Sequence, residues 1–180
     1  MWVHLKNKFF LGLALFITLA VGMGGCSYSN KVVLPYQDAK TIAVPMFRNT
    51  IPPQNILTYV AGLESHLTQA VLDDFVTDGN LKVTDTDKAD LILRGEIVGY
   101  EQEPFRFNHF EQVDEFRLFI VVKLALEDRK TGQVIWKEEN FSGDTQYFIN
   151  GPRAIQEELA AQKAIADLAN KIVNRVVEDW

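Results

Sequence analysis

From Phe116 to Asp128 the chain reads FRLFIVVKLALED, and the alternation in this stretch decides the fold. Phe116, Leu118, Ile120, Val122, Leu124 and Leu126 fall on one side of an extended chain and make an unbroken apolar row. Arg117, Phe119, Val121, Lys123, Ala125 and Glu127 fall on the other side, which is mixed. A strand with one apolar face needs one covering layer, and antiparallel sheets commonly leave their second face open to a polar surrounding.

Reading outward, DRKTG (Asp128 to Gly132) is a glycine-ended hairpin loop leading into a second strand, VIWKEENFSG. Upstream, LILRGEIVGY (Leu91 to Tyr100) puts Leu91, Leu93 and Ile97 on one face, with Gly95 and Gly99 between. TIAVPMF (Thr41 to Phe47) alternates through Ile42, Val44 and Met46. Pro45 cannot donate a ladder hydrogen bond, so this is an edge strand or one nearly finished. A shorter strand at Leu81 to Val83 carries a weaker pattern.

The covering layer comes from two helices. Ile56, Val60, Leu63, Leu67, Val71 and Phe75 recur at three- and four-residue steps, after Pro52 and Pro53 and before a glycine stop at Asp78-Gly79-Asn80. Gly151-Pro152 opens a second helix that runs to the C-terminus, with Ile155, Leu159, Ile165, Leu168, Ile172, Val176 and Trp180 as its stripe. The expected fold is α+β: a two-layer sandwich with two helices packed on one face of a mostly antiparallel four-stranded sheet.

The N-terminus carries a different signal. Lys6 and Lys8 precede a charge-free run, Phe9 to Met23, and Gly24-Gly25 then precede Cys26, the one cysteine of 180 residues. A positive segment, an apolar segment of up to about 15 residues and small residues before the cut describe a secretory signal. The run is short of the roughly 20 apolar residues that a transmembrane helix needs, and an uncleaved anchor, lengthened by Gly24 and Gly25, is the alternative. Met23-Gly24-Gly25-Cys26 resembles the bacterial lipobox, in which the thiol receives a diacylglycerol and the new N-terminus is acylated. Residues 1–25 are therefore expected to be a lipoprotein signal peptide, 26–39 a lipidated tether and 40–180 the folded domain. Several acyl chains on Cys26 would hold the chain stably to a membrane. Ser27, rather than Asp, after the cysteine points to the outer membrane.

The whole chain has a formal charge of −6, and removal of the two signal lysines takes the mature chain to −8. That balance excludes a general nucleic-acid binder, which needs a basic stripe. With the cysteine lipidated no disulfide is available. Neither His66, on the first helix, nor His109, in a loop, has a cysteine or carboxylate at ligand spacing, so no metal site is expected. Asp85, Asp87 and Asp90 lack the glycine of a calcium loop and read as a solvated turn. The chain has no nucleophile elbow, phosphate loop or dinucleotide fingerprint. The expectation is a protein without catalytic residues or cofactor.

EPFRFNHFEQVDEF (Glu103 to Phe116) reads as a loop, with Phe105, Phe107 and Phe110 beside Arg106. Its aromatics either tuck back onto the sheet or form a contact surface for lipid or protein, where aromatics and Arg are enriched.

In order, Cys26-Ser27-Tyr28, TIAVPMFRNT, ADLILRGEIVGY, DRKTGQVIW, FSGDTQY and LANKIVNRVVEDW resemble the LptE family, lipopolysaccharide-assembly lipoproteins of the Gram-negative outer membrane. The resemblance covers nearly all of residues 26–180. It implies a non-catalytic domain, lipid-anchored on the periplasmic side, that plugs the LptD β-barrel, helps it assemble and contacts lipopolysaccharide. Arg106, Arg129 and Lys130 are the basic residues expected to make that contact, by charge and place. The alternative is an envelope lipoprotein of a secretion pore or a Tol-type periplasmic module.

Overall fold

The computed structural model describes residues 38–52 and 62–177. The strands are β1 (Thr41–Ala43), β2 (Arg48–Asn49), β3 (Lys82–Val83), β4 (Leu91–Phe107), β5 (Val113–Asp128) and β6 (Val134–Phe148). The helices among these residues are α1 (Leu63–Asp78), between β2 and β3, and α2 (Glu157–Val177), after β6. The predicted signal peptide, Cys26 and most of the tether fall outside the described residues, as do Ile56, Val60 and Trp180.

The sheet runs β3-β1-β4-β5-β6, with β2 pairing the same edge of β4 further along. The two long ladders, β4–β5 and β5–β6, are antiparallel. The short pairs β1–β3, β1–β4 and β2–β4 are parallel. The sheet is thus six-stranded and mixed, not the four-stranded, mostly antiparallel sheet expected. The first expected strand, Thr41 to Phe47, ends at Ala43, before Pro45, which has no N–H for a ladder, and pairing resumes only at β2, in the stretch expected to be a loop. The short strand that remains, β1, lies inside the sheet between β3 and β4.

Burial follows the alternation of β5. Leu118, Ile120, Val122, Leu124 and Leu126 are buried, and Phe116 packs partly buried against the same core. On β4, Leu91, Leu93 and Ile97 share that face until a bulge between Ile97 and Gly99 shifts the register. Beyond the bulge Tyr100, opposite Ile120, takes the core position instead of Glu101. An extra residue in one strand reverses the parity of everything after it.

Both helices cover this one face. α1 contributes Leu63, Leu67, Val71 and Phe75, and ends where Gly79, at φ 74°, donates its N–H to Phe75 O at 3.1 Å. α2 contributes a stripe rich in small residues, including Ala160, Ala161, Ala164 and Ala169 beside Leu168 and Ile172. Small side chains bring the helix down onto β6. A Cβ added at Gly143 would lie 2.4 Å from Leu168 Cβ, so no larger residue fits there unless the helix moves.

Two boundaries differ from expectation. The final helix starts at Glu157, not at Gly151-Pro152, because the chain first returns along β6: Ala154 bridges Phe148, and Ile155 N donates to Phe148 O at 3.0 Å. With that start Leu159 faces outward, 44% exposed, and is not part of the stripe. The expected loop 103–116 is mostly strand. β4 continues to Phe107 and β5 begins at Val113, leaving a tight tip in which Asn108 Oδ1 accepts from Phe110 N and Gln112 N.

Candidate interaction surface

The face of the sheet turned away from the helices is charged and self-paired. Arg94 Nε lies 3.0 Å from Glu127 Oε2, Lys123 Nζ lies 2.9 Å from Glu139 Oε2, and Arg48 pairs with Glu96. The Glu139 hydrogen bond raises the Lys123 ammonium above its ordinary range, and Lys123 lowers the Glu139 carboxyl in return. Exposed pairs of this kind contribute little to stability. Their consequence is chemical: this face suits a polar, hydrated surrounding.

The long β4–β5 hairpin has two ends, and they differ in kind. At its base, where β5 turns into β6, Asp90 accepts from Lys40 N at 3.0 Å and from Thr41 Oγ1 at 2.8 Å, and pairs with Lys130 Nζ at 3.0 Å. These partners, the Lys40 N–H foremost, hold the Asp90 carboxyl far below the ordinary carboxylate range. Arg129 is tied to the same place, its backbone N–H donating to Asp90 O and its Nε to Ala89 O. Lys130 and Arg129 therefore hold the base of the hairpin together. The nearby DTDKAD segment is a turn in which Asp85 O accepts from Lys88 N and Ala89 N.

At the far end Arg106 lies opposite Glu115, and Glu115 lies opposite Phe148. Glu115 is buried, 5% exposed, with Arg106 Nε at 3.2 Å from its Oε2 as an ion pair without hydrogen-bond geometry. The guanidiniums of Arg106 and Arg153 both stand over the Phe148 ring, at 5.6 and 3.9 Å from its centroid. Phe105, Phe107 and Phe110 are 46%, 57% and 69% exposed, so they do not tuck back onto the sheet. Ile149, tied by its N–H to Asp114 O, adds another exposed apolar side chain at the same end.

The three basic residues expected to contact lipopolysaccharide lie at two places. Arg106 sits at the tip and Arg129-Lys130 at the base, on the order of 40 Å apart along a strand that rises about 3.3 Å per residue. Arg153 joins Arg106 instead, and sequence reasoning missed it. Its placement depends on the β5–β6 register and on the return of the loop along β6, neither of which is a local pattern. Among the described residues, no group of three His, Cys, Asp or Glu side chains is placed to hold a metal ion. His66 and His109 are both exposed.

No curated protein matches the chain in sequence. Solved structures share its fold at low identity. A Xanthomonas campestris protein aligns at 11% identity, covering 77% of this chain and 84% of its own, with a TM-score of 0.57. An uncharacterized lipoprotein B from Nitrosomonas europaea aligns at 14% identity over 77% and 83%, with a TM-score of 0.53. A PelC dodecamer from Paraburkholderia phytofirmans aligns at 12% identity over 78% and 90%, with a TM-score of 0.50. These likenesses concern the fold alone. The LptE model, described as lipopolysaccharide-assembly, matches residues 39–177, which takes in nearly all of the described fold. By that match the chain belongs to the LptE lipopolysaccharide-assembly family.

Proposed function

We propose that this chain is a non-enzymatic outer-membrane lipoprotein, anchored through Cys26 on the periplasmic side, that plugs an LptD-type barrel and assists its assembly during lipopolysaccharide transport. The observation that carries the reading is the family match across residues 39–177. The geometry agrees with it in kind. Helices cover one face of the sheet, and the other carries the Arg94–Glu127 and Lys123–Glu139 pairs, as the polar interior of a wide transmembrane barrel requires. Holding a barrel calls for a broad surface more than for any single side chain.

Contact with lipopolysaccharide is assigned to the far end of the hairpin. There Arg153 has the Phe148 ring but no acidic partner among the described residues, and its guanidinium is available to a phosphate. Arg106 beside it is shared with Glu115. Arg129 and Lys130 are engaged with Ala89 and Asp90, so reversing their charge would loosen the hairpin base before it tested any lipid contact.

The test is purification of the lipidated protein from native envelopes, with identification of what co-purifies, combined with depletion of the protein in cells. A barrel in the pull-down, and a joint fall in mature barrel and surface lipopolysaccharide, support the reading. Normal barrel assembly and normal surface lipopolysaccharide after full depletion rule it out. Recovery of a ring of identical copies or of a Tol component would move the secretion-pore or Tol-type alternative ahead.

A further inference from the structure

The base of the β4–β5 hairpin opens onto a cleft of about 510 Å³ whose walls include Asp38, Ala39, Leu91, Lys130, Val134 and Ile135. Val134 and Ile135 are large apolar side chains left exposed. Neighbouring residues of a regular strand point to opposite faces, yet both of these line the one cleft. The register explains it. Glu127 pairs with Val134 and Leu126 with Trp136, so Ile135 is the extra residue of a bulge in β6. A bulge re-aims a side chain, and this one turns a second apolar group into the cleft.

The cleft lies where the described chain begins, and Asp38 is both its first residue and part of the cleft wall. Just before it the sequence reads KVVLPYQ, with Val32, Val33 and Leu34 in succession where a solvated tether needs no aliphatic residue. Leu34 is four residues from Asp38, so it lies within about 14 Å of the wall. A segment already joined to its site over that distance binds without the loss of translational freedom that an outside partner incurs. Charge agrees. Asp38, Asp90 and Asp128 in the wall outnumber Lys130, and Lys31 is the only charged residue between Cys26 and Asp38.

We propose that Val32, Val33 and Leu34 dock in this cleft against Val134 and Ile135, which makes the end of the tether part of the domain. The docking needs nothing beyond this chain. Its consequence rests on the lipidation of Cys26 proposed above. The free link between lipid and domain shortens from residues 27–37 to residues 27–31, and its reach from roughly 40 Å to roughly 20 Å. The hairpin base is then held within that shorter reach of the lipid.

The experiment uses the full lipidated chain in detergent, with trypsin, which cuts after Lys31 at the edge of the docked segment. Val134→Ser with Ile135→Ser should speed that cut at least about tenfold, because cleavage follows the population of the released segment. Val134→Leu with Ile135→Leu should leave it slow. Cleavage after Lys163, inside α2, gauges the fold itself. An unchanged rate at Lys31 in the serine pair, with Lys163 still protected, overturns the proposal. Position is read with a short bismaleimide. Leu34→Cys with Ile135→Cys should cross-link within one chain, and Leu34→Cys with Phe110→Cys, at the far tip, should not. Equal yields from the two pairs, or a product that joins two chains, overturn the proposal as well, and these pairs decide the matter where the serine pair fails to fold. The mass of the mature wild-type chain is read separately. An unmodified Cys26 would sink the anchoring reading and leave the docking standing.

Discussion

The middle of the β4–β5 hairpin and its far tip are one continuous ladder, yet they end in opposite environments. In the middle, Leu118, Ile120 and Val122 are fully buried beneath two helices. At the tip, rings of greater apolar area stand 46–69% exposed. Backbone pairing runs through both, with register shifts at Pro104/Arg106 and Arg106/Phe107 near the tip, so pairing alone does not decide where apolar side chains go. The cover decides it. α2 begins at Glu157 and passes over β6 where Gly143 admits it, and no helix among the described residues reaches past the β6–α2 return. The middle is stability, and the tip is surface available for recognition.

The largest expected effect comes from the middle. Ile120→Ala removes a fully buried branched side chain opposite Gly143 and should destabilise the fold by about 2–5 kcal/mol. Lys123→Ala, on the open face of the same strand, should leave stability nearly unchanged. Chemical denaturation of the two variants side by side checks the contrast. A shift no larger for Ile120→Ala would mean that the faces are reversed.

Next comes Gly143→Ala. Its Cβ would meet Leu168 Cβ at 2.4 Å and the helix backbone at 2.5 Å, so α2 must retreat. Overpacking of this kind costs about 1–3 kcal/mol. A thermal unfolding midpoint unchanged by this substitution would show that the helix does not sit so close.

The hairpin base should show a smaller, pH-dependent effect. Asp90 is held ionised by Lys40 N–H, Lys130 and Thr41, so its folded-state pKa lies below the unfolded value near 4. A depressed carboxyl contributes stability above the unfolded value and loses it as pH falls toward the folded one. Asp90→Asn should therefore cost about 1–2 kcal/mol at pH 7 and progressively less below pH 4. Parallel wild-type and variant stability curves across pH 2–7 would contradict this account of the base.

These contrasts also mark what could be read beforehand. The buried row of β5 was legible because its signal is local: alternate residues, one apolar face. The glycine stop of α1 was local in the same way. β2 and β3 have two residues each, too few for any period, and their parallel pairing with neighbours exists only through tertiary contact. The arm 103–107 and 113–116 read as a loop because its side chains are polar, although a ladder needs only backbone groups. At the site, Phe105, Phe107, Phe110 and Arg106 stand out as a cluster in sequence. Arg153, some 40 residues on, joins them only through the register that sets Phe148 opposite Glu115.

The smallest stability effect belongs to the tip, and there the comparison between the two regions is sharpest. Phe107 and Phe110 bury little, so Phe107→Ser with Phe110→Ser should change folding stability by no more than about 0.5 kcal/mol per site. A large loss of stability would show that the rings pack onto something in the free protein, which would make the tip a piece of core. A small loss together with impaired lipid A binding would separate the two regions of one hairpin cleanly. The middle would then be required for folding, and the tip for what the folded protein binds.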